Sequence, residues 1–180
     1  REASMKDLRN KIGFVPQKGV LFSGTIESNL KLGNDKLTEE EMKKVAEVSQ
    51  SLEFIDAKDK KFQSPISQGG TNVSGGQKQR LAIARAIAKN PEIYIFDDSF
   101  SALDFKTDAK LRKALKKYTK DSTILIVAQR ISSIMHADRI VVLDQGEVVG
   151  MGTHKELLKS CDVYREIALS QLGEEEINNA

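Results

Sequence analysis

Three short runs, Ile12-Gly13-Phe14-Val15, Ile93-Tyr94-Ile95-Phe96 and Ile124-Leu125-Ile126-Val127, carry no alternation of apolar and charged residues. A half-wet strand would alternate, and each run is too short for a helix of ordinary length. They are therefore expected as strands buried on both faces, which in globular domains means a parallel sheet with helices on either side. The intervening segments carry helical periodicity, so the chain predicts an α/β fold with a largely parallel sheet.

Local signals mark where the helices begin and end. Pro16 stops the first strand and leaves Gln17 just beyond it; a loop from Gly19 to Gly24 follows, with Val20, Leu21 and Phe22 as apolar anchors. Thr25 can cap a helix through Leu30. Thr38 with Glu41 forms a capping box ahead of an apolar stripe of Met42, Val45, Ala46 and Ser49. A helical turn at Leu52–Ile55, a charged surface loop at Lys58–Lys61 and a turn at Ser64–Gly70 lead to Ser74. Asp104 can cap a helix from Phe105 to Tyr118 with Ala109, Leu111, Ala114 and Leu115 inward. A short helix is expected around Ile134. Ile140–Leu143 and Glu147–Met151 read as a hairpin across Asp144-Gln145-Gly146, and Thr153 with Glu156 starts a short helix before a last one at Asp162–Leu169.

Two places in this layout ask for chemistry. Ser74 and Gln77 form another capping box, so a helix starts near Gly75 and runs through Leu81, Ala84, Ile87 and Ala88 to Asn90-Pro91. Glycines in that first turn cost up to about 1 kcal/mol each relative to alanine, so bare backbone there points to close approach of an anion. A capped helix with nothing bound is the plain alternative. The second place is Asp97-Asp98, two carboxylates at the carboxyl end of a buried strand, the edge where open parallel sheets bind ligands.

Composition removes several function classes. The chain has 180 residues, 28 basic and 26 acidic, and lacks the basic excess of nucleic-acid binders. One cysteine, Cys161, leaves no disulfide framework and fits a reducing compartment. The longest apolar run, Ile124–Ala128, falls far short of the roughly 20 residues that span a bilayer, so membrane association is expected to go through a partner. Arg1-Glu2-Ala3-Ser4 reads as the middle of a longer chain, and Glu174-Glu175-Glu176 as a solvated tail.

Taken in order, these residues make the chain similar to the nucleotide-binding domain of ABC transporters of the exporter type, over nearly its whole length. Asn72–Gln77 resembles the ABC signature, with Val73 where leucine is usual. Ile93–Asp98 resembles a Walker B strand, Ser101-Ala102-Leu103-Asp104 a D-loop, Gln17 the Q-loop glutamine, and Ile126–Arg130 the switch segment. The resemblance implies a P-loop NTPase-like ABC ATPase fold, α/β with a mainly parallel sheet and a helical signature subdomain, its amino-terminal part missing. Residues 1–180 are then a partial domain: about 18–90 include the helical subdomain, about 91–160 run from Walker B to the switch core, and about 161–180 form the last helix and tail.

The same resemblance implies ATP and Mg²⁺ as ligands. It places Ser74, Gly75, Gly76, Gln77, Gln17, Ser101 and Asp104 toward the nucleotide, Asp97 and Gln17 toward the metal, and Asp98 and Gln129 in catalytic positions. It implies a second nucleotide-binding domain and a transmembrane domain as partners, no nucleic acid, and a place on the cytoplasmic face of a membrane. Three departures qualify it. No G-x-x-x-x-G-K-[ST] loop occurs, so the main phosphate holder is expected upstream of Arg1, together with the aromatic that stacks on adenine. Asp98 stands where the family carries glutamate, one methylene longer, and Gln129 where it carries the ionisable histidine. Both changes weaken the same site, which fits the degenerate subunit of a heterodimeric exporter, one that lends its intact signature to its partner's nucleotide.

Rival assignments have weaker support. A soluble ABC ATPase of DNA repair or translation needs basic surface and a paired domain or coiled-coil insertion. A non-catalytic binding module predicts no effect of replacing Ser74. His136 and His154 lie outside the switch segment and read as structural. Arg80 and Arg85 read as a solvated helix face, and Gln68 stands where exporters often carry a glutamate near the transmembrane domain.

Overall fold

The strand Ile93–Asp97 (β4) is hydrogen-bonded on both sides, to Ile12–Val15 (β1) and to Thr123–Val127 (β5), and both pairings are parallel. The computed structural model describes residues 4–172; Arg1–Ala3 and the acidic stretch Glu174–Glu176 lie outside the described residues. Contacts divide the chain into two compact units, one ending at Val127 and the other starting at Ala128.

In the first unit, a short helix Met5–Asn10 (α1), capped by Ser4, precedes β1. Gly24–Thr25 (β2) pairs antiparallel with Pro65–Ile66 (β3) around the helices Ile26–Lys31 (α2), Glu39–Val48 (α3) and Leu52–Asp56 (α4). Thr25 and Thr38 each make a complete capping box. Turns of 3₁₀ helix at Lys61–Gln63 and Gln68–Gly70 flank β3, and Gly75–Ala88 (α5) then runs to β4. Phe105–Tyr118 (α6), capped by Asp104, crosses from β4 to β5.

Register shows how the sheet uses its two faces. Gly13, Tyr94 and Ile124 are laterally aligned, as are Val15, Phe96 and Ile126, and this face joins the core with Leu81, Ala84 and Ile87 of α5 and Leu111 and Leu115 of α6. The opposite face carries Phe14, Ile95 and Leu125 in one row, and Asp97 with Val127 in the next. On it Phe14, Leu125 and Val127 are 55%, 55% and 50% exposed. The expectation of burial on both faces thus holds for one face only, because among the described residues α5 and α6 cover the same side. A second correction concerns α6: Ala109 faces solvent and Asp108 faces the core instead, where Arg112 one turn on pairs with it at 2.7 Å.

The second unit contains Ile131–Ile134 (α7), the antiparallel hairpin Ile140–Asp144 (β6) and Glu147–Gly152 (β7), and helices His154–Ser160 (α8) and Asp162–Gln171 (α9). The hairpin turns at Gln145 and Gly146 with φ of 47° and 86°, the left-handed pair that a two-residue loop requires. Ile140, Val142, Leu157 and Tyr164 form its core, together with buried Cys161. His154 lies in that core with Nδ1 at 2.7 Å from the Tyr164 hydroxyl.

Two outcomes follow from this packing. Leu81 is fully buried, so Leu81→Ala should cost the first unit about 2–5 kcal/mol in urea unfolding; a cost below about 1 kcal/mol would contradict the assigned core. Burial holds the His154 imidazole below its unfolded pKa of 6.5, helped by the nearby charges of His136 and Lys155. The folded unit then binds fewer protons than the unfolded chain between the two values, so this contribution is complete above pH 6.5 and is lost as pH falls toward the folded value. Unfolding midpoints read by tyrosine fluorescence should drop on acidification from about pH 7.5 to about 5.5, with a flatter profile in His154→Gln. Parallel profiles would refute the assignment.

Candidate functional site

Period-two alternation places Asp97, the last residue of β4, half-buried on the open face of the sheet. If Asp98 continued the strand, its carboxylate would point into the core beside Tyr94 and Phe96. The backbone avoids this by turning left-handed, with φ of 43°, a conformation that aspartate tolerates better than most residues. The turn is tied on three sides. The Asp98 amide donates to the Val127 carbonyl at 2.8 Å, and its carbonyl accepts from Ser101 Oγ at 2.8 Å. Fully buried Ser99 donates through Oγ to the Val15 carbonyl at 2.8 Å, which fastens the end of β4 to the end of β1.

Across from this turn, Gln17 Nε2 donates to Asp98 Oδ2 at 3.0 Å. That contact brings the residue after β1 and the residue after β4 together, and directs Gln17 Oε1 elsewhere. Asp97, Asp98 and Gln17 offer only oxygen ligands, a donor set suited to Mg²⁺. Among the described residues no group of three or more His, Cys, Asp or Glu could hold a metal.

The start of α5 is built by reciprocal bonds. Gln77 N donates to Ser74 Oγ at 3.2 Å, and Ser74 N donates to Gln77 Oε1 at 3.1 Å. Asn72 steadies the approach by donating to the Pro65 carbonyl at 2.8 Å and accepting from Ser67 N at 3.0 Å. A Cβ on Gly75 would meet nothing within 4 Å. One on Gly76 would lie 3.5 Å from the Ala102 carbonyl oxygen and 3.9 Å from Leu103 Cδ2, both ordinary contacts. Residues 74–77 and the segment Ser101–Asp104 are thus neighbours. Asp104 accepts from Thr107 N at 2.9 Å, and this bond holds its carboxyl below its usual pKa.

The arginines of α5 do not form the solvated face expected of them. Arg80 is half-buried: Nη1 donates to the Gln50 carbonyl at 2.6 Å, and the guanidinium lies 4.9 Å from the Phe54 ring centroid. Arg85, also half-buried, lies 5.7 Å from the Phe22 ring. Both hold the helix to its neighbours because their stems and planar heads cover apolar surface.

Gln129 belongs to the second unit. Its side chain is exposed, and its carbonyl accepts from Gln171 Nε2 at 2.8 Å while Gln171 Oε1 accepts from Ile131 N at 2.8 Å, so α9 brackets this segment. His136 and Gln68 are exposed, and His154 is in the core of its unit. Buried Gln79 escaped notice in the sequence. Its signal was a polar residue at helical spacing from Ala82, Ile83 and Ala86, on the stripe that faces the core.

The family described as ABC transporter matches residues 1–101. An uncharacterized ABC transporter ATP-binding protein of Mycobacterium tuberculosis is 47% identical over 174 residues, covering 95% of this chain and 30% of that protein. The ATP-binding cassette sub-family B member 5 of Mus musculus is 42% identical over 171 residues, covering 95% of this chain and 14% of its own length. The structure of a bacterial Atm1-family ABC exporter with ATP bound superposes with a TM-score of 0.91 at 35% identity, over 96% of this chain and 30% of that one. This chain therefore spans less than a third of the length of these relatives. It belongs to the ABC transporter family, as part of an ATP-binding domain homologous to those of exporters.

Proposed function

We propose that the chain is part of the ATP-binding domain of a heterodimeric ABC exporter, lending its signature helix to a nucleotide held by a second such domain while its own Walker B and switch side is degenerate. Gly75 carries this reading: it stands bare at a capped helix terminus, yet among the described residues a Cβ there would meet nothing within 4 Å. A backbone kept clear for no internal contact suits a ligand brought by another molecule. Phosphate oxygens suit the free N–H groups and the positive end of the helix dipole.

In this scheme MgATP binding between the two domains closes the pair and drives export, and hydrolysis resets it. Asp97 and Gln17 would hold Mg²⁺ from this chain, and the ion would supply positive charge to the nucleotide's phosphates. Asp98, one methylene shorter than glutamate and held by Gln17, orients water but serves poorly as a base. Gln129 hydrogen-bonds a phosphate oxygen without ionising. Ser101 and Asp104, which flank the Ala102 and Leu103 that lie against Gly76, relay the state of one nucleotide site to the other.

The helical subdomain lies within about 18–90, the Walker B to switch core within about 91–160, and the last helix and tail within about 161–180. Among the described residues no helix is long and apolar enough to cross a membrane. In this reading the chain works on the cytoplasmic face of a membrane, attached through a transmembrane domain. The chain alone, without the phosphate loop, is inactive.

Two measurements test this in the full-length transporter with its partner. Gly75→Ala leaves thermal stability unchanged or raises it by up to about 1 kcal/mol, since a Cβ meets open space, yet slows phosphate release about 10-fold or more. Full turnover would remove the signature from the mechanism. Asp98→Glu, with the longer reach, raises turnover severalfold at saturating ATP. A fall would show that this side is not limited by the reach of its carboxylate.

A further inference from the structure

Gln79 lies just beyond the first turn of α5 and is 2% exposed, and both ends of its carboxamide are used. Oε1 accepts from Gly19 N at 2.7 Å, and Nε2 donates to the Pro16 carbonyl at 3.1 Å. Those two backbone groups bracket Gln17 and Lys18. One side chain therefore pins both ends of the loop that presents Gln17 to Asp98, across sequence separations of 60 and 63 residues. The fit is close: a Cβ on Gly19 would lie 2.9 Å from Gln79 Oε1 and 3.1 Å from the Lys78 carbonyl oxygen.

We propose that Gln79 is a positioning residue that makes the Gln17–Asp98 contact follow the position of the signature helix. The helix is a hydrogen-bonded rod, so a displacement of its first turn by a ligand at Ser74–Gln77 is carried along its length. At its far end Lys89 Nζ donates to the carbonyls of Arg9 and Ile12, at 2.6 and 2.8 Å, and ties α5 to the entry of β1. Gln79 ties it to the exit. With the Lys89 anchor as pivot, movement of the amino-terminal end of α5 reaches Pro16 and Gly19 through two hydrogen bonds. In this way a nucleotide held elsewhere against the signature is reported to this chain's own carboxylate. The metal-binding part assigned to Gln17 rests on the function proposed above; the clamp rests on geometry.

The test uses the full-length transporter with its partner and compares Gln79→Met, Gln17→Ala and the double variant. Gln79→Met keeps the length of the side chain and removes both polar contacts. Amide exchange in a peptide covering residues 16–20 should quicken about 10-fold, while α5 beyond Leu81 stays protected. The kcat should fall about 10-fold with KM for ATP within about 2-fold, and the double variant should be no slower than the slower single one. Unchanged exchange, or losses that multiply, would overturn the proposal. Faster exchange with turnover intact in both single variants would uphold the clamp and sink the metal-binding role given to Gln17. Gln79→Glu adds a pH readout. Its protonated carboxyl again donates to Pro16, so its turnover relative to wild type should rise as pH falls, and a flat ratio counts against the clamp. If Gln79→Met fails to fold, Gly19→Ala dislodges the same carboxamide from the loop side and must give the same exchange signature.

Discussion

The double pairing of β4 is the constraint on which the rest of this structure depends. A strand bonded to neighbours on both sides cannot slide or twist away without breaking two ladders, so its carboxyl end is a fixed point. The ladder to β5 extends one residue further through the Asp98 amide and the Val127 carbonyl, and only then does the chain turn. Continued extension would bury an unpaired carboxylate beside Phe96, which costs far more than the ~1–3 kcal/mol of a left-handed residue. The unusual φ at Asp98 is thus the cheaper of two strains. It delivers two consecutive carboxylates to different surroundings, Asp97 on the open sheet face and Asp98 against Gln17.

What the sequence disclosed was what is decided locally. The boxes at Thr38, Ser74 and Thr153 depend on residues three positions apart and stand where those pairs predict. Thr25 and Asp104 cap the helices expected of them, Thr25 through a box with Ser28 that was not read from the sequence. The three apolar runs are strands for the same reason, since length and composition settle them. The pairing of β2 with β3 was hidden because two residues carry no periodicity. The orientation of α6 was misjudged because alanine at position 109 suits either face, whereas Asp108 can turn inward only with Arg112 beside it. Within the candidate site, Asp97, Asp98, Ser74 and Gln77 were legible from strand ends and caps. The Gln17–Asp98 bond and the Gln79 clamp join residues more than 55 positions apart, and no local rule reports such a contact.

The uneven sheet has a related origin. Parallel strands written as continuous apolar runs suit cover on both sides, and here the described helices supply it on one. Phe14 and Leu125 in one row and Val127 in the next therefore face outward as an apolar patch that no exposed monomer surface would favour, with the Asp97 carboxylate beside Val127.

The start of α5 shows the same incompleteness in electrostatic form. Helices α3, α6 and α8 each carry acidic residues in their first turn, complementing the positive end of their own dipoles. The first turn of α5 has none, although α5 and α6, with 14 residues each, are the longest helices described. Its cap satisfies one amide through Ser74, while Gly75 and Gly76 expose backbone that side chains would otherwise cover. An anion placed there gains about 0.3–1 kcal/mol from the dipole at an exposed site and up to about 2 when water is excluded. Such a gain is small for a free phosphate and considerable for a phosphate already gripped elsewhere, because its translational entropy has already been lost. The terminus is therefore suited to completing a site and unsuited to making one.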